Sequence, residues 1–437
     1  MATEETSAKT SPKGLVRGIR KWDLVAVAIN GIIGAGIFGL PAKVYALIGT
    51  YSLIAFVACA IVVTLIILCF AEVGSRFEET GGPYLYAREA FGPAVGFEVG
   101  WLSWLARLTA FAANCNLMVS YLAFFWPGAS APLQRATIIT VVVIALAAIN
   151  FIGVRQAAIA SDFFTIGKLI PLMIFIAAGL FFLKGHAFAF GPRPSTGAFS
   201  QSVLLLIFAF TGFEMAAIPA GEVRDPRRNL PRALLIATAV VATTYILVQV
   251  VCVGTLPALA SSTKPLADAA QNFMGTAGAA IISAGAIISI SGNLNILMLS
   301  GSRLPFAFAE QKELPAFVAR VHRRFFTPHV AIAITASAML VFTLKSSFVA
   351  ALTISAIARL VTYGVTCAAL PVLRRRAGIS PAMFRVRGGS AIAVAALILA
   401  IWLLAHSTQT EAIQSTIAAA VGLLIYLAYR IYRGSTL

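Results

Sequence analysis

Few residues in this chain can do chemistry inside its apolar segments. Lys168 lies in S-D-F-F-T-I-G-K-L-I-P-L (161–172). It is six residues in from Asp162, about 9 Å along a helix at 1.5 Å per residue. A lipid-facing lysine there snorkels to the interface. A bundle-facing one carries a charge that desolvation disfavours, so it can gain and lose a proton. Glu214 follows Thr211 and Gly212 in F-A-F-T-G-F-E-M (208–215). A carboxylate at that depth is costly, so it is a functional candidate, or it is paired with a polar neighbour or free backbone amides. Glu98 and Arg107 share one segment nine residues apart, two and a half turns, which puts them on opposite faces. Arg359 is structural or part of a cytoplasmic gate. Asn293 and Asn295 either line a pocket or make helix–helix hydrogen bonds.

The second constellation is glycine. Residues 30–39 read N-G-I-I-G-A-G-I-F-G, and 34–39 match G-x-G-x-x-G. A dinucleotide fingerprint needs a soluble strand before it and an acid about 20 residues on, but this run is apolar and the next acid is Glu72. The glycines are then a helix-packing face or a helix break. The Thr211–Gly212 interruption favours a break, because two such segments would occupy corresponding places in the chain. Unwinding there frees backbone N–H and C=O groups, tolerated only inside protein or beside a wet cavity. Half-helix N-termini attract a carboxylate, and the freed carbonyls can hold an ammonium. The pair of breaks suits an amino acid.

The elements that position these residues follow from composition. Of 437 residues, 59% are apolar and 11% charged, against about a quarter charged in a soluble domain. This excludes a soluble multi-domain enzyme and disorder, and strands of a transmembrane barrel would alternate. An all-α integral membrane protein remains. Twelve spans are expected, at 23–48, 51–73, 94–125, 136–153, 162–183, 200–220, 232–256, 277–302, 328–344, 347–371, 388–406 and 410–430. The stretch 80–92 reads as a short interfacial helix after a turn.

The net charge of +17 reflects 33 Lys+Arg against 16 Asp+Glu. With the N-terminus inside, 24 of the 33 basic residues fall in cytoplasmic segments, five outside and four in spans. The excess therefore marks topology, both termini cytoplasmic in the cytoplasmic membrane, and not a nucleic-acid partner. Residues 1–21 are polar and the first apolar run is too long for a signal h-region, so no cleavable signal is expected. The five cysteines (59, 69, 115, 252, 367) lie in apolar runs with no C-x-x-C, and the four histidines are scattered. No disulfide framework, metal site or cofactor is expected, and no obligate protein partner is evident.

Spans one and six run in opposite directions, and each opens a block of five, which points to a 5+5 inverted repeat with broken helices 1 and 6. The expected organisation is a tail at 1–21, repeats at 22–184 and 200–376, two further helices over 385–431, and a tail at 432–437.

These residues carry a resemblance. N-G-I-I-G-A-G-I-F-G-L-P (30–41), G-G-P-Y-x-Y (81–86), F-A-F-T-G-F-E (208–214) with G-E-V-R-D-P-R-R-N-L-P-R-A (221–233), and S-R-L-P-F-A-F-A-E-Q-K-E-L-P (302–315) resemble the amino acid–polyamine–organocation transporters of LeuT-like fold. The likeness covers roughly 20–376. It implies a secondary transporter working by alternating access. Gly34, Ala35 and Gly36 would bind the substrate carboxylate. Carbonyls at Ile32 or Ile33 and at Phe208, Ala209 and Thr211, beside Gly212, would take the amino group. Phe208 would gate the outer side, and Asn295 is a further pocket candidate. Lys168 would stand where sodium-coupled relatives bind sodium, near Ser289 or Ser291, making H+ the coupling ion. Cation-carrying members often have an acid in mid-span three, whereas this chain has Ala106 and Arg107 there, which favours a neutral amino acid. The resemblance leaves two mechanisms: proton symport, or exchange with Lys168 as a fixed charge. A nutrient sensor would carry long signalling tails, and an enzyme would show a metal cluster or nucleophile elbow; neither signature is present.

Overall fold

The computed structural model describes residues 19–434 except 79, 80, 153, 219, 221, 222, 377 and 379, and the side chains of 153–166, 433 and 434 are left out of the description. Most of the expected 1–21 tail and residues 435–437 of the expected 432–437 tail lie outside the described residues, as do Gly221 and Glu222 of the 221–233 motif.

The described chain is helical. In order come α1 (Lys21–Ile32), α2 (Ala35–Ile48), α3 (Ser52–Gly74), α4 (Pro83–Phe91), α5 (Pro93–Leu122), α6 (Pro132–Ile152) and α7 (Val154–Gly179). Then follow α8 (Thr196–Phe210), α9 (Pro226–Thr255), α10 (Pro265–Glu310), α11 (His329–Lys345), α12 (Phe348–Arg375), α13 (Gly389–Ala405) and α14 (Gln409–Gly434). Helices lie over each expected apolar run, and α4 is the short helix expected after the Gly-Gly turn. Among the described residues, seven helical stretches are long and apolar enough to cross a membrane, with three shorter apolar helices at 167–182, 329–345 and 389–405.

Two elements depart from one helix per span. Gly275, at φ +66°, kinks α10, so its first three turns leave the axis of the rest. The first apolar run is two helices, α1 and α2. Between them Ile33 is extended (φ −74°, ψ 96°) and Gly34 sits at φ −127°, ψ −145°. A second break ends α8: Thr211 is extended, Gly212 is left-handed at φ +108°, and Phe213–Ala217 continue as a short 3-10 turn. Glycine meets that left-handed geometry without the Cβ penalty other residues carry.

α5 runs through the middle of the molecule, against α12, α10, α4, α11 and α14. Small side chains such as Ala106, Ala110, Ala112 and Ala113 are fully buried along it and allow close approach. The outer helices are inverted in character: α6 and α14 expose Leu133, Val141, Ile144, Ile417 and Leu424. Exposed apolar side chains on membrane-length helices face a solvent that is itself apolar. All five cysteines are free and buried, and no cluster of His, Cys, Asp or Glu fit to hold a metal occurs among the described residues.

Candidate functional site

The two breaks meet face to face. A Cβ added at Gly31 would lie 2.6 Å from the carbonyl oxygen of Gly212, and one at Gly212 would lie 2.1 Å from that of Gly31. One turn on, a Cβ at Gly36 would come within 2.6 Å of the Ala209 Cα. The glycines of both segments are therefore where backbone touches backbone. Tyr245 of α9 ties the pair together: its hydroxyl shares its one proton between Ile32 O and Ala209 O, each at 3.2 Å.

A small buried cavity opens at this junction. Of the residues expected to bind substrate, Gly34, Ala35, Gly36, Phe208 and Thr211 line it. Ile33, Ala209 and Gly212 form the surrounding backbone without lining it. The cavity offers ≈ 20 Å³ for the centre of a water-sized sphere, room for about one water. Ala110, Asn114, Met215, Asn293 and Leu297 line it as well.

Lys168 is buried and reaches the first break, which settles the choice between snorkelling and bundle-facing. Nζ donates to Ile33 O at 2.9 Å, to Asn30 O at 3.2 Å and to Asn30 Oδ1. Three donors meeting three oxygens satisfy an ammonium completely. The expected serine partners are placed differently: Ser291 Oγ donates to Met118 Sδ at 3.8 Å. Ser289 Oγ is buried without a hydrogen-bond partner among the described residues.

Glu214, four residues from the α8 terminus, is held on three sides. Arg359 of α12 forms a buried ion pair with it. Tyr363 Oη donates to Oε2 at 2.6 Å, and Gly212 N donates to the same oxygen at 2.9 Å. The paired reading of Glu214 thus describes its surroundings. Arg359 supplies the partner, and it also lines the cavity. Arg107 instead donates to Ser103 O at 2.8 Å and Ser300 Oγ at 3.2 Å. Glu98 stands apart from the site, both carboxylate oxygens buried and without a hydrogen-bond partner among the described residues.

The two asparagines of α10 divide. Asn293 faces the cavity and donates to Gly31 O at 3.3 Å. Asn295, the one expected in the pocket, accepts from Asn150 Nδ2 of α6 at 3.1 Å and does not line the cavity. Two residues apart on a helix is about 200° of rotation, so only one of them can face inward. Asn114 was missed by the sequence reading. From α5 its Oδ1 accepts from Ala35 N at 3.0 Å, capping the start of α2.

Membrane-length helices with two broken segments apposed at a buried polar cavity describe a membrane transport protein. A family model described as amino acid permease matches residues 19–428. The chain belongs to the amino acid permease family. It is 31% identical over 376 residues to the serine/threonine exchanger SteT of Bacillus subtilis (strain 168), spanning 84% of this chain and 86% of that protein. It is 27% identical over 449 residues to the methylthioribose transporter of the same organism, spanning 98% and 96%. It is 25% identical over 452 residues to the branched-chain amino acid permease BcaP of that organism, spanning 97% and 95%. These relatives are named as transporters, exchangers or permeases, and the chain is accordingly a non-enzymatic, membrane-embedded transport protein.

Proposed function

We propose that this permease carries a neutral amino acid across the cytoplasmic membrane by alternating access, with a proton moving in the same direction. Both termini are cytoplasmic in this reading. The helices of 22–184 and 200–376 form the two inverted repeats, and 385–431 supplies two peripheral helices. The observation that carries it is the junction of the two breaks. There the start of α2 presents Gly34–Gly36 backbone to a carboxylate, and the carbonyls of Gly31, Ile32, Ala209 and Thr211 lie around the same space for an ammonium. Ile32 O and Ala209 O each accept from the Tyr245 hydroxyl and keep a second lone pair, whereas Phe208 O already accepts from Thr211 N and Thr211 Oγ1.

Neutrality of the substrate is supported by the lining. Its one charged group among the described residues is Arg359, already paired with Glu214. A cationic side chain would meet no free carboxylate there, and burying it unpaired is costly. The relatives named for serine/threonine and for branched-chain amino acids point the same way, while the one named for methylthioribose marks how far the family's cargo extends.

Proton coupling is assigned to Lys168. Its protonated form makes three bonds to Asn30 and Ile33; a neutral amine has only two N–H groups to give. Loss of the proton therefore loosens α7 from the break at which substrate binds, so one titration moves the substrate-binding backbone. Exchange is the second reading, favoured by the name of the 31% identical relative, with Lys168 permanently charged. Proteoliposomes loaded with a panel of labelled amino acids separate the two. Accumulation driven by an inward proton gradient, and lost in Lys168→Ala, is expected. Uptake that stays gradient-driven in Lys168→Ala would remove Lys168 from the coupling. Counterflow that needs internal amino acid and ignores the gradient would favour exchange.

A further inference from the structure

The two ends of the first break are closed by a matched pair of amide side chains reaching in from other helices. α1 ends with carbonyls, and α2 begins with N–H groups, that lack intrahelical partners. On α5, Asn114 Oδ1 accepts from Ala35 N at 3.0 Å while Nδ2 donates to Ala110 O at 2.8 Å. The oxygen meets a donor and the nitrogen an acceptor, which fixes the amide's orientation. On α10, Asn293 Nδ2 donates to Gly31 O at 3.3 Å. Both side chains are buried. Both converge on Gly34, where an added Cβ would lie 3.1 Å from Asn293 Cγ and 3.2 Å from Asn114 Oδ1.

Together the pair presents one acceptor to the start of α2 and one donor to the end of α1. An α-amino acid presents the same two functions, as a carboxylate and an ammonium. The remaining space, ≈ 20 Å³ for a water-sized sphere, does not admit such a molecule with the amides in place.

We propose that Asn114 and Asn293 stand in for the substrate's carboxylate and ammonium, so that the break closes without substrate and the carrier returns across the membrane unloaded. This deepens the amino acid transport proposed above and rests on it. Unpaired N–H and C=O groups are not tolerated at membrane depth. A break without internal partners would close only around cargo, and such a carrier could only exchange. With the asparagines in place, unloaded return is open and net flux follows. Substrate still wins when present, because charged groups make stronger hydrogen bonds than a neutral amide, and the start of α2 favours an anion.

Both positions are tested by comparing net uptake with exchange in proteoliposomes. Counterflow with saturating amino acid on both sides uses only loaded carriers; uptake into amino-acid-free vesicles under an inward proton gradient needs unloaded return. In Asn114→Ala and in Asn293→Ala, the ratio of net uptake to counterflow should fall about tenfold below that of the natural protein, equivalent to about 1.4 kcal/mol. Asn114→Asp offers a stronger acceptor to Ala35, so it should retain net uptake and raise the KM for substrate. A parallel loss of both fluxes in the alanine variants would show a merely structural role and overturn the proposal. Unchanged fluxes, a lowered KM in Asn114→Asp, or a natural protein with counterflow but no net uptake would each overturn it as well. A natural protein that moves no amino acid in either assay would instead overturn the proposed function beneath it.

Discussion

Gly31→Ala tests the apposition of the two breaks. The new Cβ would sit 2.6 Å from Gly212 O, and ordinary contact begins at 3.4 Å, so the segments must part by about 0.8 Å. The contact does not yield easily, since the new Cβ is fixed to the α1 backbone and Gly212 O is itself backbone. A shift of that size carries at least one of the two 3.2 Å Tyr245 bonds past the 3.5 Å hydrogen-bond limit. Overpacking costs about 1–3 kcal/mol, and a buried carbonyl stripped of its donor about 1–3 kcal/mol more. Taking about 3 kcal/mol for the sum against the closed junction, its population falls roughly a hundredfold. The assay is initial-rate uptake in proteoliposomes alongside thermal unfolding in detergent, with Gly185→Ala as control. Nothing lies within 4 Å of a Cβ added at Gly185, and its φ is outside the left-handed range, so the control should match the natural protein. Gly31→Ala should retain less than about a tenth of the uptake. A Gly31→Ala protein with natural uptake and stability would refute the apposition.

Other consequences follow from the same contacts. Tyr245→Phe removes the bridging hydroxyl while keeping the ring, and uptake should fall about tenfold, the effect of one buried unsatisfied carbonyl; an unchanged rate would show the bridge to be idle. Glu214→Gln and Arg359→Met each strand one member of a buried ion pair, which should cost about 3–5 kcal/mol and lower the unfolding temperature sharply. The double variant should recover much of that stability, and a double variant as unstable as the sum of the singles would show the two residues to be uncoupled.

Much of the fold was legible because it is written in composition. Apolar run lengths mark where helices form, and Gly31, Gly34, Gly36 and Gly212 mark where two of them break. Lys168 stood out as a lone lysine in an apolar segment, and the structure places its Nζ against Ile33 O. What sequence could not resolve was rotation and long-range pairing. Asn293 and Asn295 are chemically identical and differ only in which side of α10 they occupy. Glu214 finds Arg359 145 residues away, so no local pattern announces the pair. Asn114 reads as one polar residue among many in α5, and its meaning arises only where that helix packs against the start of α2, 79 residues distant in sequence. The resemblance implied Ser289 or Ser291 beside Lys168, but Asn30, two turns into span one, supplies the side-chain oxygen.

Movement of a neutral amino acid together with a proton, through Lys168, is the proposal on which the rest stands. The measurement that meets it most directly is accumulation of labelled neutral amino acids in proteoliposomes under an inward proton gradient, with and without a protonophore. Accumulation above the external concentration is expected, collapsing when the protonophore is added and absent in Lys168→Met. Accumulation in Lys168→Met equal to that of the natural protein, or transport indifferent to the gradient in the natural protein, would contradict it.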